Sequence, residues 1–133
     1  MSTDTVRNPY ALTDLWEGRE IGDPFLMRHD GRFYLYCSSH SQQPGIKCWV
    51  SEDMLHFDYY GFVCVEPCTA GAYAPEVAYN AGRFWMVTSP RGSGHYLLTA
   101  DSPLGPFRVV SDNLGVGIDG SLFVDDDGRS WFY

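Results

Sequence analysis

The chain has 133 residues, and its 17 acidic and 9 basic side chains give a formal net charge of −8. The length fits one modest domain, and a composition of 44% hydrophobic and 20% charged residues is that of a globular protein, which excludes a disordered or low-complexity chain. Nucleic acid is excluded as a partner because Lys and Arg do not cluster, and a membrane span is excluded because no run of about 18 apolar residues occurs.

The first residues and the cysteines bear on the compartment. The polar start, Met1 to Asp4, lacks the basic and apolar stretches of a signal peptide, so we expect a cytoplasmic location. The four cysteines, with disulfide pairing as the alternative, are then expected to be reduced and to act as small buried side chains. They are Cys37, Cys48, Cys64 and Cys68. No nearby His completes a zinc tetrahedron with the last two.

Helical periodicity is confined to a short turn near residues 13–17, and everything after it has the character of strands and turns. Aromatic residues make up 16% of the chain, and its 14 Gly and 8 Pro are spread evenly along it. Aromatic side chains favour strands, whereas Gly and Pro favour turns. The sequence therefore predicts an all-β fold.

Three segments share one pattern of strand, turn and strand. They begin at Asp23, Ala74 and Asp119, and their turns contain Gly31, Gly82 and Gly128. A short turn that ends in Gly between two β-rich runs is typical of a β-hairpin. We therefore predict three hairpins that repeat along the chain.

A second pair of strands follows each of the first two hairpins. These strands are predicted at residues 46–51 and 57–63 in the first repeat and at 96–100 and 107–110 in the second. Four antiparallel strands in each repeat of about 40 to 50 residues is the arrangement of a β-propeller blade. A β-sandwich of hairpins is the alternative.

The repeats divide the chain into parts of one domain. Blade 1 covers about residues 22–64, blade 2 about 73–112, and half of blade 3 about 118–133, so the chain 1–133 is interpreted as part of a single, larger β-propeller domain, with about 2.5 blades present. Fewer than four blades leave strand edges and an apolar sheet face uncovered. Three alternatives follow: the chain is a piece of a larger domain, copies of it associate and cover the open blade edges, or the fold is not a propeller. With these edges exposed, we do not expect a monomer.

Acidic residues lie where the blades begin. The first strand of each blade lines the central channel, so the residues that open those strands meet at one mouth of the channel. Asp23, Glu76 and Asp119 lie at or within two residues of these points. Asp is depleted in strands, and three carboxylates around one cavity suit acid and base chemistry. A turn or capping role for each of them is the alternative.

Four motifs follow one another in a fixed order. They are Gly22-Asp23-Pro24, Tyr73-Ala74-Pro75-Glu76-Val77, Asp101-Ser102-Pro103-Leu104-Gly105-Pro106-Phe107, and Ile118-Asp119-Gly120-Ser121-Leu122-Phe123 with Asp125-Asp126-Asp127-Gly128. In this order the chain resembles glycoside hydrolase family 43 from about Asn8 onwards. The resemblance implies a five-bladed β-propeller that removes arabinofuranose or xylose units from hemicellulose-type glycans or oligosaccharides, with inversion at the anomeric carbon.

The resemblance also implies roles for five residues. Asp23 matches the family's general base, and Asp119 matches the carboxylate that orients the general acid and raises its pKa. Glu76 occupies the family's Ala-Pro-acid position, which lies in the substrate site without being the proton donor. Tyr73 stands where relatives have a Trp beside the sugar, with core packing as the alternative. His40 stands where relatives have an aromatic residue in the pocket, with a surface loop as the alternative.

An inverting glycosidase needs a carboxylic acid as well as a base. The family's acid is a Glu on the fourth blade, so we expect this chain alone to be inactive or weakly active. No cofactor is implied and no metal residue is assigned, although relatives hold a structural calcium on the axis of the complete domain. A carbohydrate-binding piece without turnover and a self-assembling structural repeat are the alternatives to a glycosidase.

Two further features are interpreted without a catalytic role. Residues 125–127, three consecutive Asp, are predicted to form a solvated turn, because no Glu follows to close an EF-hand loop. His95 is expected on a flexible loop between strands, where it is a candidate for contact with a sugar.

Overall fold

The computed structural model describes residues 22–38 and 42–133, which form ten β-strands and one 3-10 helix, Pro67–Thr69. The helical turn predicted near residues 13–17 lies outside the described residues, as does His40. Within the described part, no helix is long and apolar enough to cross a membrane. The strands are β1 (Phe25–His29), β2 (Arg32–Tyr36), β3 (Ile46–Ser51), β4 (Asp58–Cys64), β5 (Ala72–Asn80), β6 (Arg83–Pro90), β7 (Tyr96–Ala100), β8 (Arg108–Val109), β9 (Leu122–Val124) and β10 (Ser130–Phe132).

Hydrogen bonds join the strands into antiparallel sheets in chain order. One four-stranded sheet has the order β1-β2-β3-β4, another has the order β5-β6-β7-β8, and β9 pairs with β10. The first strands of the three sheets are β1, β5 and β9. Strand β1 contacts β5, and β5 contacts β9. This arrangement confirms the prediction of an all-β fold built from four-stranded antiparallel units, with inner strands side by side.

Turn chemistry explains the two longer hairpins. Asp30-Gly31 joins β1 to β2 and Ala81-Gly82 joins β5 to β6, and the four φ angles are 45°, 78°, 50° and 81°. A two-residue loop with both φ angles positive matches the twist of the flanking strands. The Gly positions adopt this conformation without the steric cost that a side chain adds.

The end of blade 2 differs from the predicted strand at residues 107–110, because only Arg108–Val109 pair with β7. Phe107 instead donates its backbone N–H to the carbonyl oxygen of Val63 in the other sheet, at 2.8 Å, and its side chain is fully buried. The first residue of the expected strand is therefore used to join the two blades.

The two four-stranded sheets share one hydrophobic core. The largest of its fully buried members are Tyr36 and Ile46 from blade 1 and Phe107, Met86 and Leu98 from blade 2. The Tyr36 hydroxyl donates to the carbonyl oxygen of Pro103 at 2.6 Å. Burial raises the pKa of Tyr36, so the phenol remains a neutral donor and this bond between blades persists at all ordinary pH values.

None of the four cysteines forms a disulfide bond among the described residues. Burial raises the pKa of Cys48 to about 12 and that of Cys64 to about 11, and Cys37 is also buried. Thiols with such pKa values stay protonated near neutral pH and are poor nucleophiles. Cys48 and Cys64 belong to the core and Cys37 is buried, as the sequence predicts, whereas Cys68 is only partly buried against the core.

Candidate functional site

The three positions that open the repeats share a backbone conformation. Asp23, Ala74 and Asp119 have φ angles of 47°, 41° and 59°, in the left-handed region. This region costs a residue with a side chain about 1–2 kcal/mol, and Asp tolerates it better than Ala does. Because strain of this kind persists only where the surrounding structure holds it, and gathers at functional sites, the repeated outlier marks this end of the inner strands as the candidate site.

Strand β5 bends at this point through a β-bulge. Ala74 and Pro75 together lie opposite a single residue of β6, Thr88. Proline fits here because a bulge leaves a residue outside the ladder, where no backbone N–H is needed. Glu76 is the first residue to pair regularly again, and it lines a cavity next to the start of β1.

A cavity of about 180 Å³ lies between the starts of β1 and β5. Asp23 and Glu76 line it together with the apolar surfaces of Pro24, Phe25 and Pro75. The structure therefore brings together two of the three predicted carboxylates. Asp119 is exposed and lies outside the lining of this cavity, two residues before the start of the segment that Glu76 binds.

Glu76 connects the second and third blades. Its Oε1 accepts hydrogen bonds from the Ser121 hydroxyl and from the backbone N–H of Leu122, both at 2.9 Å. One carboxylate oxygen thus holds the start of β9 against β5. Bonds to an ionised acceptor are stronger than those between neutral groups, so this contact fixes the side chain of Glu76 as well as the neighbouring strand.

His95 holds the segment that contains Asp119. The backbone N–H of Gly120 donates to its Nε2 at 2.9 Å, so the ring proton lies on Nδ1, 3.3 Å from the carbonyl oxygen of Val116. A side chain at position 120 would collide with the ring of Phe132 and with Nε2 of His95, at 2.8 Å, and only glycine fits. His95 is 2% exposed and is therefore a buried anchor, where the sequence led us to expect a flexible loop and contact with a sugar.

Ser38 is a site residue that the sequence analysis missed. Its hydroxyl donates to Oδ2 of Asp23 and accepts the backbone N–H of Ala74 at 3.0 Å, while its own N–H donates to the carbonyl oxygen of Gly22 at 2.9 Å. A signal was present in the repeat, because Ser38 and Ser89 each follow the opening residue of their blade by 15 positions.

The contacts of the described residues do not test the roles predicted for Tyr73 and His40. Tyr73 is half-buried in β5, and its carbonyl oxygen accepts a hydrogen bond from the Thr88 hydroxyl at 2.9 Å. Stacking of Tyr73 on a sugar stays a prediction, and so does the role of His40, which lies outside the described residues.

The structure gives no group of three or more His, Cys, Asp or Glu residues suited to a metal ion within residues 22–38 and 42–133. Asp125 uses Oδ1 to accept the backbone N–H groups of Asp127 and Arg129, at 3.1 and 2.8 Å. The indole N–H of Trp131, donated to Oδ2, and these backbone bonds hold the pKa of Asp125 below its usual range. The carboxylate thus closes a turn, as predicted for residues 125–127.

Comparison with known proteins shows which family the chain belongs to. The profile of the glycosyl hydrolases family 43 matches residues 19–133. The chain belongs to this family. A xylosidase/arabinosidase of Butyrivibrio fibrisolvens is 32% identical over 83% of the chain and 24% of its own length, and a xylan 1,3-beta-xylosidase of a Vibrio species is 31% identical over 97% of the chain and 26% of its own length.

Solved structures of family 43 proteins share the fold. A thermostable family-43 glycoside hydrolase superposes with a TM-score of 0.79 and 29% identity, covering 96% of this chain and 44% of its own. An alpha-L-arabinofuranosidase of Clostridium thermocellum gives a TM-score of 0.72 and 25% identity over 89% of this chain and 48% of its own. The chain therefore forms part of a family 43 β-propeller, and it spans about a quarter of the length of the curated relatives it matches.

Proposed function

We propose that Asp23 is the general base of an inverting glycoside hydrolase that removes arabinofuranose or xylose units from hemicellulose-type glycans or oligosaccharides. The observation that supports this most directly is the cavity at the start of the inner strands, which Asp23 and Glu76 line within the segment that the family profile matches. The relatives named for xylosidase and arabinosidase activity supply the class of sugar.

In the proposed reaction, a water molecule gives a proton to Asp23 while its oxygen bonds to the anomeric carbon. The glycosidic C–O bond breaks on the opposite face of the ring, and the leaving oxygen takes a proton from a carboxylic acid roughly 6.5–9.5 Å from the base. We assign no residue of this chain as that acid. Asp119 is proposed to orient it, and Glu76, Tyr73 and His40 are proposed to lie along the sugar.

The test of this proposal replaces the base. Asp23→Ala, made in the full-length gene product, is expected to lower kcat on aryl arabinofuranosides and aryl xylosides by about 10² to 10⁴, because general base catalysis supplies a factor of that size. Alanine already occupies the equivalent left-handed position at Ala74, so the fold should be retained. Initial rates and thermal unfolding measure the two effects.

The matched control is Asp30→Ala. Asp30 lies at the other end of β1 in the hairpin turn, and Ala81 occupies the equivalent position in blade 2. This variant should keep the parental kcat. Proton NMR of the first product should show the inverted anomer. An unchanged rate in Asp23→Ala, or a product of retained anomeric configuration, contradicts the proposed function. If the parent protein binds the sugar but hydrolyses none of it, the alternative of a carbohydrate-binding protein without turnover is supported instead.

A further inference from the structure

Ser38 holds the start of both blades from a buried position. Its side chain is 0% exposed, and the hydroxyl has one proton to give. The backbone N–H of Ala74 is itself a donor, so the hydroxyl must accept there and must spend its proton on Oδ2 of Asp23. The direction of every hydrogen bond at this point is therefore determined.

This arrangement makes the two oxygens of Asp23 unequal. Oδ2 receives the Ser38 proton and cannot carry a proton of its own toward the same hydroxyl. Oδ1 has no hydrogen-bond partner in residues 22–38 and 42–133. A proton that Asp23 accepts therefore binds more favourably at Oδ1, whose lone pairs accept no hydrogen bond from the described residues, while the bond to Ser38 remains intact.

The second blade contains the same serine without the acid. Ser89 pairs with Tyr73 in β5, just as Ser38 bonds to Gly22, and its side chain is also 0% exposed. The opening residue of this blade is Ala74, which has no carboxylate, and the hydroxyl of Ser89 has no hydrogen-bond partner among the described residues. A buried serine hydroxyl at this position therefore does not always form a hydrogen bond. The bond that the Ser38 hydroxyl donates depends on the carboxylate of Asp23.

We propose that Ser38 is a positioning residue that fixes the Asp23 carboxylate with Oδ1 as the oxygen that takes the proton from water. The inference rests on the proposed function of Asp23. Asp23 and Ala74 are both held in the left-handed region, with φ angles of 47° and 41°, and Ser38 is bonded to both. One hydroxyl thus sets the orientation of the base relative to the cavity wall formed by the second blade.

The experiment uses the full-length gene product and a dinitrophenyl glycoside, whose good leaving group keeps slow variants measurable. Ser38→Ala is expected to lower kcat by about 10- to 100-fold with KM changed by less than about twofold, because a misplaced base loses rate without losing ground-state binding. Ser38→Thr retains the hydroxyl and should regain most of the rate. Ser89→Ala removes the equivalent buried hydroxyl and should leave kcat unchanged.

A second measurement separates positioning from a structural role. If Ser38 acts through Asp23, adding Ser38→Ala to Asp23→Ala causes no further loss of kcat, whereas independent roles multiply their losses. Thermal unfolding of each variant checks that it is folded, and Ser38→Thr serves for the comparison if Ser38→Ala does not fold.

Each outcome is decisive. A loss in Ser38→Ala that Ser38→Thr restores and that vanishes without Asp23 supports the inference. Parental kcat in Ser38→Ala, with Asp23→Ala inactive, overturns the inference and leaves the proposed function standing. An equal loss in both backgrounds, or a loss confined to KM, also overturns it. Parental kcat in Asp23→Ala overturns the proposed function and the inference with it.

Discussion

Individual polar side chains in this protein close turns as well as lining the cavity. Asp53 follows β3, and its Oδ1 accepts the backbone N–H groups of Leu55 and His56 at 2.8 and 2.9 Å. Its Oδ2 lies 2.8 Å from Nδ1 of His56. The His56 ring first, and then the backbone donors, hold the pKa of Asp53 well below its usual range.

This shift predicts a pH dependence of stability. Because the folded-state pKa is depressed, the contribution of Asp53 is fully present above the unfolded pKa of about 3.9 and is lost as pH falls from there toward the folded value. Asp53→Ala should lower Tm at pH 6, and the gap to the parent should narrow below pH 4. Circular dichroism melts at a series of pH values measure it, and a gap that stays constant down to pH 2 contradicts the prediction.

Residues also show what a sequence can and cannot predict. The hairpin turns at Gly31 and Gly82 are predictable because the strands and the turn are contiguous in the chain. The contacts of Ser38 and His95 are not, because the groups that they bond to lie in distant segments of the chain. Gly120, the partner of His95, is 25 residues away in sequence and reaches it only through packing of the blades.

At the scale of elements, one carboxylate joins β5 to β9. Glu76 accepts hydrogen bonds from Ser121 and Leu122 with a single oxygen. Strand β9 has three residues, and β10 is its one hydrogen-bonded neighbour among the described strands. A two-stranded hairpin is marginally stable alone, so the third blade depends on such contacts with the second.

Removal of this carboxylate should loosen the third blade. Glu76→Ala is expected to lower the free energy of unfolding by about 1.5–3 kcal/mol, the range for hydrogen bonds to a charged group, and to speed amide exchange at Leu122. Hydrogen exchange with residue resolution measures the second effect.

The control for this variant is Glu52→Ala, which removes an exposed pair with Arg32 at 3.3 Å. Exposed pairs contribute about 0–1 kcal/mol, so its unfolding and the exchange at Leu122 should stay close to those of the parent. Unchanged protection of Leu122 in Glu76→Ala would show that the hairpin is held by other contacts.

The elements themselves were largely predictable. Runs rich in aromatic and β-branched residues, bounded by Gly, Pro, Asn and Asp, mark strands β1 to β7, because these side chains favour strands and the strand ends need turn residues. The length of β8 was not predictable, since Phe107 gives its N–H to Val63 of the other blade, and that competition is visible only when both sheets are in place.

At the scale of the whole molecule, the third blade leaves apolar surface uncovered. Phe123, Trp131 and Tyr133 are 51%, 46% and 71% exposed, and β10 pairs with β9 alone among the described strands. Strand edges and apolar patches of this kind favour association. The repeat pattern predicted the blades. The number of copies of the chain that associate depends on exposed surfaces of the folded protein, which a local sequence pattern does not describe.

We expect the 133-residue chain to associate through this surface. Light scattering at increasing concentration should give a mass above that of a monomer, and Phe123→Arg should lower it, because a charge in an apolar contact must be desolvated. Tyr60→Arg, at a residue of β4 that is 55% exposed, is the matched control and should not change the mass. A monomer at every concentration contradicts the prediction.

The left-handed residues that open the blades also limit natural variation. Gly, Asn and Asp adopt that conformation more readily than other residues, so they are the residue types favoured at positions 23, 74 and 119. Asp already occupies two of these three positions. In the blade that Ala74 opens, the hydroxyl of Ser89 is buried and has no hydrogen-bond partner among the described residues. An Ala74→Asp substitution would relieve backbone strain and place a carboxylate at the position equivalent to Asp23, so the second blade lies one substitution away from a further acid at this end of the inner strands.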